Sequence, residues 1–97
     1  MSESAPPPNR AAEEHVLGAL LLEPDRWPQV ADLTLQNFAF PEHRALFQTL
    51  SELAANGGIQ DFDHILEHLA ETDRLPIAGG RAAVERLRAD TATASAS

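Results

Sequence analysis

The sequence predicts an all-α fold, namely a compact orthogonal bundle of about five or six short helices. Apolar residues recur at three- and four-residue steps through most of the chain, which is typical of amphipathic helices. Prolines and paired glycines divide the chain into segments, few of which exceed about 12 to 16 residues, and no segment alternates like a β-strand. Such short helices are expected to cross at steep angles around one core.

The length of 97 residues suits one domain, and its ends differ from its middle. Residues 1–8 are small and Pro-rich, so a flexible tail is expected there, and residues 9–90 are expected to form the helical domain. From Ala89 onward the residues are almost wholly Ala, Thr and Ser. We therefore expect 91–97 to begin a linker that is mobile or extended unless a neighbour holds it.

The first helix is predicted from about Arg10 to Leu22. Asn9 can cap its N-terminus, and the acids Glu13 and Glu14 suit the positive end of the helix dipole. One face of this helix carries Ala12, Val16, Leu17, Leu20 and Leu21.

Two shorter helical pieces are predicted next. Pro24 and Pro28 bracket one or two turns. The residues of this piece that can pack inward are Trp27, Val30, Ala31 and Leu33. Thr34 can cap a further turn through Phe38.

The second long pattern begins at Pro41, which fits the first position of a helix, and stops at Asn56-Gly57-Gly58. Its apolar stripe is Leu46, Phe47, Leu50, Leu53 and Ala54.

Two more helices complete the prediction. Asp61 is a natural cap for a helix with the stripe Phe62, Ile65, Leu66 and Leu69. Gly79-Gly80 opens the last helix, with Val84 and Leu87 inside and Arg81, Glu85, Arg86 and Arg88 outside. The core predicted from all these stripes comprises Val16, Leu17, Leu20, Leu46, Phe47, Leu50, Phe62, Ile65, Leu66, Leu69, Val84 and Leu87.

The charge and composition exclude several classes of function. The formal net charge is −8, with 15 acidic residues against 7 basic ones, all of which are Arg. DNA binding depends on Lys and Arg that neutralise phosphates, so no direct nucleic-acid partner is expected. Without Lys there is no P-loop, and without Cys there is no disulfide, thiolate metal site or cysteine nucleophile. The longest apolar run, Val16 to Leu22, is too short to cross a bilayer, so we expect a cytoplasmic protein with no membrane partner.

One chemical motif needs weighing against a structural interpretation. His64, Glu67 and His68 match the H-x-x-E-H pattern of inverted zinc peptidases, in which two His residues four apart share a metal. At the helical angle per residue, both His side chains point nearly opposite the apolar stripe, towards water. A solvated face is therefore favoured over a small metal-dependent hydrolase.

The remaining candidates also favour structural roles. His43 is predicted to bond a backbone group or a carboxylate, because no nucleophile or partner base accompanies it. A DNA-reading helix is disfavoured, because the helix after Gly57-Gly58 presents Asp61, Asp63, Glu67 and Glu71. The exception is the Arg-bearing last helix, which is interpreted as a solvated or protein-binding face. No catalytic residue, cofactor-binding residue or metal ligand is predicted.

The order of these features resembles a known family. Asn9 through Pro24, reading N-R-A-A-E-E-H-V-L-G-A-L-L-L-E-P, resembles the opening of the N-terminal domain of DnaB-type replicative helicases. Asn37-Phe38, Pro41, His43-Arg44 and Phe47 are similar to that family's D-F-Y-x-P-x-H-R-x-I-F segment. Asp61, Gly79-Gly80 and Ala89-Asp90-Thr91 resemble its acidic helix start, its G-G turn and its A-x-T exit.

The resemblance covers Pro7 to Thr91, with a few departures. Ala39 stands where Tyr is usual, Ala11 stands where Glu is frequent, and Gln60 and Asp63 make their stretch more polar than is typical. These changes affect surface contacts more than the fold, because the apolar stripes survive them.

The resemblance implies a non-catalytic helical head in the collar of a hexameric helicase from bacteria. In this family the heads and a following helical hairpin pack as a trimer of dimers and dock primase or a loader. ATP and magnesium would be bound by a motor domain downstream of Ser97, so no cofactor is expected in this chain. The alternative is the helicase-binding domain of a bacterial primase, which is similar in fold. The H-R-x-L-F segment and Gly79-Gly80 favour the helicase.

Three apolar residues are predicted to contact partners. Trp27, Phe40 and Ile77 lie beside prolines or turns, where the helical stripes do not clearly bury them.

Overall fold

The computed structural model describes residues 9–96, and over this range the chain is all-helical, as predicted. The expected flexible tail at residues 1–8 lies outside the described residues. No strand occurs between residues 9 and 96, and no helix there is long and apolar enough to cross a membrane. Four α-helices and two 3₁₀ helices occur in this order: α1 (Arg10–Leu22), a 3₁₀ helix (Pro24–Val30), a second 3₁₀ helix (Leu35–Asn37), α2 (Pro41–Ala55), α3 (Phe62–Glu71) and α4 (Arg81–Ala96).

The α-helices begin at the caps that the sequence predicts. The Asn9 side-chain oxygen accepts a hydrogen bond from the Ala12 N–H at 3.1 Å, and the Asp61 carboxylate accepts one from the His64 N–H at 2.8 Å. Pro41 occupies the first position of α2, where its missing N–H leaves no hydrogen bond unmade.

α2 and α3 end with the same backbone hydrogen-bond pattern, which different residues form. After α2, Gly57 and Gly58 take φ values of +110° and +104°, and the Gly58 N–H donates to the Leu53 carbonyl at 2.9 Å. After α3, Asp73 takes the left-handed conformation at φ +59°, and the following Arg74 N–H donates to the Leu69 carbonyl at 2.9 Å. Both closures reverse the chain so that the next segment packs back on the bundle.

The core is built from α1, α2, α3 and the start of α4. Most of the predicted core residues are buried, whereas Val16, Phe62 and Leu87 are half-buried at its edge and pack against it. Phe38, which follows the second 3₁₀ helix, is also buried and lies 4.7 Å from the Phe47 ring, centroid to centroid. The aromatic pair ties the connecting segment before α2 to the helices around it.

α4 pairs with α1 and continues past residue 90, after which the sequence predicts the start of a linker. Instead of becoming extended, α4 continues to Ala96, and Thr91 is buried at 7% exposure. Gly18 is also buried, and a Cβ added there would overlap the Thr91 side chain and approach the Leu87 carbonyl to 3.2 Å. Because Gly18 has no side chain, the two helices can approach closely. This contact holds Thr91, which lies in the segment predicted to begin a linker.

Candidate protein-interaction surface

The structure places the three predicted partner contacts in three different surroundings. Trp27 is half-buried, with its ring centroid 5.3 Å from that of Phe47, in agreement with the prediction that it can pack inward. Phe40 is half-buried too, because the Arg10 guanidinium covers its ring at 4.8 Å. Ile77 is 53% exposed and is the large hydrophobic side chain that residues 9–92 leave open to solvent.

Ile77 borders an open groove beside the N-terminal half of α2. We name it the Ile77 groove. Its apolar members are Leu35, Ala39, Pro41, Ala45 and Ile77, and its polar members are Arg44, Gln48 and Arg74. The lining contains two guanidinium groups and no carboxylate. Protein-docking sites commonly combine an apolar centre with a polar rim.

The segment that carries Ile77 is fixed by its own hydrogen bonds. The Ala78 N–H donates to the Arg74 carbonyl at 2.9 Å, and the Gly80 N–H donates to the Leu75 carbonyl at 2.8 Å. Ala78, next to Ile77, is buried in the core. Ile77 is consequently presented by an ordered turn, which lowers the entropy cost of a contact with it.

A bidentate ion pair anchors the same segment to α2. Arg74 Nη1 and Nη2 donate to the two Glu52 carboxylate oxygens at 2.7 and 2.8 Å, and Nη1 also lies 3.4 Å from the buried Thr49 hydroxyl. The hydrogen bonds from Arg74 and then from the His68 ring lower the pKa of Glu52 to about 2. The contact raises the pKa of Arg74 in turn. We call these residues the Glu52 network.

The Glu52 network changes the interpretation of the H-x-x-E-H motif. The sequence predicts that His68 faces water, but its side chain is only 22% exposed. Its Nε2 lies 3.0 Å from Glu52 Oε1. His64 Nδ1 accepts a long hydrogen bond from the Gln60 N–H at 3.4 Å. Over the part of the chain that the structure describes, no group of three or more His, Asp or Glu side chains is arranged to hold a metal. His68 therefore links α3 to α2.

His43 has the kind of partner that the sequence predicts, and that partner is a buried acid. His43 Nδ1 lies 2.7 Å from Glu13 Oε1, while Glu13 Oε2 accepts the Ala39 N–H at 2.9 Å. Burial raises the pKa of Glu13, but the hydrogen bonds from Ala39 and His43 outweigh it, so the net shift is downward. An ionised carboxylate only accepts, so His43 Nδ1 carries the hydrogen of this bond. Glu13 thus joins α1 to the start of α2.

The sequence does not predict three of the residues that form these long-range hydrogen bonds. Glu13 has the sequence position of an exposed helix-start acid, and Glu52 lies among the polar residues outside the predicted stripe. Arg74 lies in a turn, 22 residues from the carboxylate that it binds. Such long-range partners leave no periodic signal in the sequence.

A second groove, between α1, α2 and α4, differs in its charge. Arg10 lies at its rim and donates to Glu42 at 2.6 Å, with Glu14 3.2 Å from the same guanidinium. The lining also holds Arg86 and Asp90, so this groove carries acids as well as arginines, and its Arg10 is already paired within the chain. The Ile77 groove is therefore the better candidate for contact with another molecule.

The comparisons with known proteins agree with this fold. The model of the DnaB-like helicase N-terminal domain family matches residues 5–97. The chain is 31% identical over 91 residues to the replicative DNA helicase DnaB of Pasteurella multocida, covering 93% of this chain and 20% of that protein. It is 36% identical over 83 residues to the Treponema pallidum protein of the same name, covering 84% of this chain and 19% of that one.

The fold of the chain is also similar to that of a solved structure. The crystal structure of the N-terminal domain of DnaB helicase from Mycobacterium tuberculosis superposes with a TM-score of 0.78 at 28% identity, covering 88% of this chain and 60% of that one. The chain spans about a fifth of the length of the two helicases named above. With its all-α order of elements and a family match over nearly its whole length, the chain belongs to the DnaB-like helicase N-terminal domain family.

Proposed function

We propose that the chain is the non-catalytic N-terminal domain of a bacterial replicative helicase, and that it acts in the cytoplasm in DNA replication. Its role is to support assembly of the helicase ring and to dock primase or a loader. ATP and magnesium are handled by a separate motor domain, and the head itself does not bind DNA. The observation that carries the proposal is the family match over residues 5–97.

The surface described above supports an assembly role. Ile77 is exposed on a turn that backbone hydrogen bonds and the Glu52 network hold in place. A preformed apolar contact of this kind is suited to protein docking. The acidic net charge of −8 supports contacts with proteins in preference to DNA.

The relatives favour the helicase over the primase alternative. The proteins from Pasteurella multocida, Nostoc and Treponema pallidum are each named a replicative DNA helicase, and their identities to this chain are 31%, 32% and 36%. All three are much longer than this chain, which leaves room for a motor domain in the parent protein.

The test compares two lengths of protein by light scattering coupled to size exclusion. A longer chain that adds the helical hairpin expected downstream should assemble into dimers or larger rings. The 97-residue chain alone should remain monomeric or weakly dimeric, because one small domain offers a limited interface.

Titration of both lengths with the helicase-binding domain of the cognate primase, followed by calorimetry, completes the test. Binding by the longer chain supports the docking role. A longer chain that stays monomeric and binds neither primase nor loader would contradict the proposed function.

A further inference from the structure

We propose that the Ile77 groove binds an amphipathic helix of a partner protein that carries carboxylates beside its apolar residues. This inference rests on the proposed function, because it names the chemistry of a docking partner. It adds the site on this chain and the sign of charge that the site selects.

The apolar part of the groove determines the shape of the occupant. Leu35 and Ala45 lie in it from two different elements, and Ile77 stands at its border, 53% exposed. Among residues 9–96 there is no strand whose edge could pair with an extended peptide. An amphipathic helix that lays two or three apolar side chains into the groove fits such a surface.

The polar part of the groove determines the charge of the occupant. In a chain with 15 acidic and 7 basic residues, this lining holds Arg44 and Arg74 and no acid. Glu52 occupies both terminal nitrogens of Arg74. Arg44 is exposed, and no ion pair holds it in the described part of the chain. A carboxylate on the partner would form an ion pair with the Arg44 guanidinium, because two N–H groups of a guanidinium match the two oxygens of a carboxylate.

A second copy of this chain is a poorer occupant. In a symmetric pair the same surface meets itself, and a lining that holds arginines and no acid cannot supply its own complementary carboxylate. Like charges placed together disfavour an interface. Nucleic acid is also a poorer occupant, because the groove is mostly apolar and the whole chain is acidic.

The test uses the ¹⁵N-labelled 97-residue chain and three synthetic peptides of equal length. All three have the pattern of a helix with apolar residues at i, i+3, i+4 and i+7. The first has a Leu ridge flanked by Glu, the second has the same ridge flanked by Lys, and the third keeps Glu but replaces Leu by Ser. We expect the Leu/Glu peptide to shift the amide resonances of residues 35–48 and 74–78.

Variants of the chain assign the effect to the groove. Ile77→Ser and Arg44→Glu should each weaken binding of the Leu/Glu peptide by roughly tenfold or more, the loss expected for a central contact. Arg44→Glu should also shift the preference towards the Lys-flanked peptide. Arg86→Glu is the matched control, because Arg86 is an exposed arginine on α4 outside this groove, and it should leave binding unchanged. Thermal unfolding of each variant confirms that the fold is retained.

Four outcomes would overturn the proposal. These are the absence of shifts with the Leu/Glu peptide, equal binding of the Lys-flanked peptide, equal binding of the Ser peptide, and a wild-type dimer that Ile77→Ser dissociates. The last would assign the groove to a second copy. None of them contradicts ring assembly, which the light-scattering comparison of the two chain lengths measures separately.

Discussion

Glu52 is the carboxylate on which two separate elements converge. Arg74 reaches it from the turn after α3, and His68 reaches it from α3 itself. One side chain of α2 therefore contacts both α3 and the turn that presents Ile77. Since the carboxylate is about one-third exposed, at 34%, solvent screens part of its contribution.

We expect Glu52→Gln to lower the free energy of unfolding at neutral pH by about 1–2 kcal/mol, because it replaces charge-assisted hydrogen bonds by weaker ones that are partly screened. The variant should also change the dependence on pH. A carboxylate whose pKa is lower in the folded state stabilises the fold above its unfolded value of 4.5, and this stabilisation is lost as the pH falls towards 2. The wild-type protein should thus lose stability over this interval more steeply than the variant.

Urea denaturation at a series of pH values measures both effects. Glu67→Gln is the matched control, since Glu67 is an exposed acid of α3. Some acid dependence should remain in Glu52→Gln, because the pKa of Glu13 is also lowered in the fold. If the two variants had the same stability at every pH, the Glu52 network would contribute nothing.

At the scale of elements, the close contact between α1 and α4 is set by an absent side chain. A Cβ on Gly18 would overlap Thr91, so the distance between the helices depends on the glycine. We expect Gly18→Ala to destabilise the protein by about 1–3 kcal/mol through overpacking, although alanine favours a helix by up to about 1 kcal/mol.

A double-mutant cycle with Thr91→Gly tests the geometry of this contact. Thr91→Gly alone should be destabilising, because it removes a buried side chain and weakens the helix. In the Gly18→Ala background the same change should instead recover stability, since it makes room for the new methyl group. Strictly additive effects in thermal unfolding would show that the two positions do not meet.

The limits of sequence prediction are clear in the same elements. The starts of α1 and α3 are predictable because Asn9 and Asp61 act within one turn of their own helices. The last turns of α4 are not, since Ala, Thr and Ser show no apolar periodicity. Thr91 is packed because Gly18 of the neighbouring α1 lies against it, and this contact exists only in the folded structure.

The predicted contact sites show a similar limit. The same pattern, an apolar residue beside a proline, predicts both Ile77 and Trp27 as contact sites. Phe47 packs against Trp27, whereas Ile77 stays exposed. This difference depends on tertiary packing, which no local sequence pattern contains.

For the whole molecule, the distribution of charge is expected to decide the class of partner. We expect no change in the fluorescence anisotropy of a labelled single-stranded or duplex oligonucleotide when the chain is added at about 0.1 M salt, because phosphate binding requires a surplus of cations. The control is a variant with Asp63, Glu67 and Glu71 changed to Lys, which should bind weakly and in a salt-dependent manner. Salt-sensitive binding by the wild-type chain would contradict the expectation.

The packing of Trp27 on Phe47 has a practical consequence. Trp27 is the one tryptophan in a chain that has no tyrosine, so the tryptophan emission of the protein comes from a single indole and has no tyrosine background. That indole lies in the first 3₁₀ helix, 5.3 Å from a ring of α2. Its emission wavelength and quenching therefore serve as a built-in optical reporter of whether this segment is docked, without any attached dye.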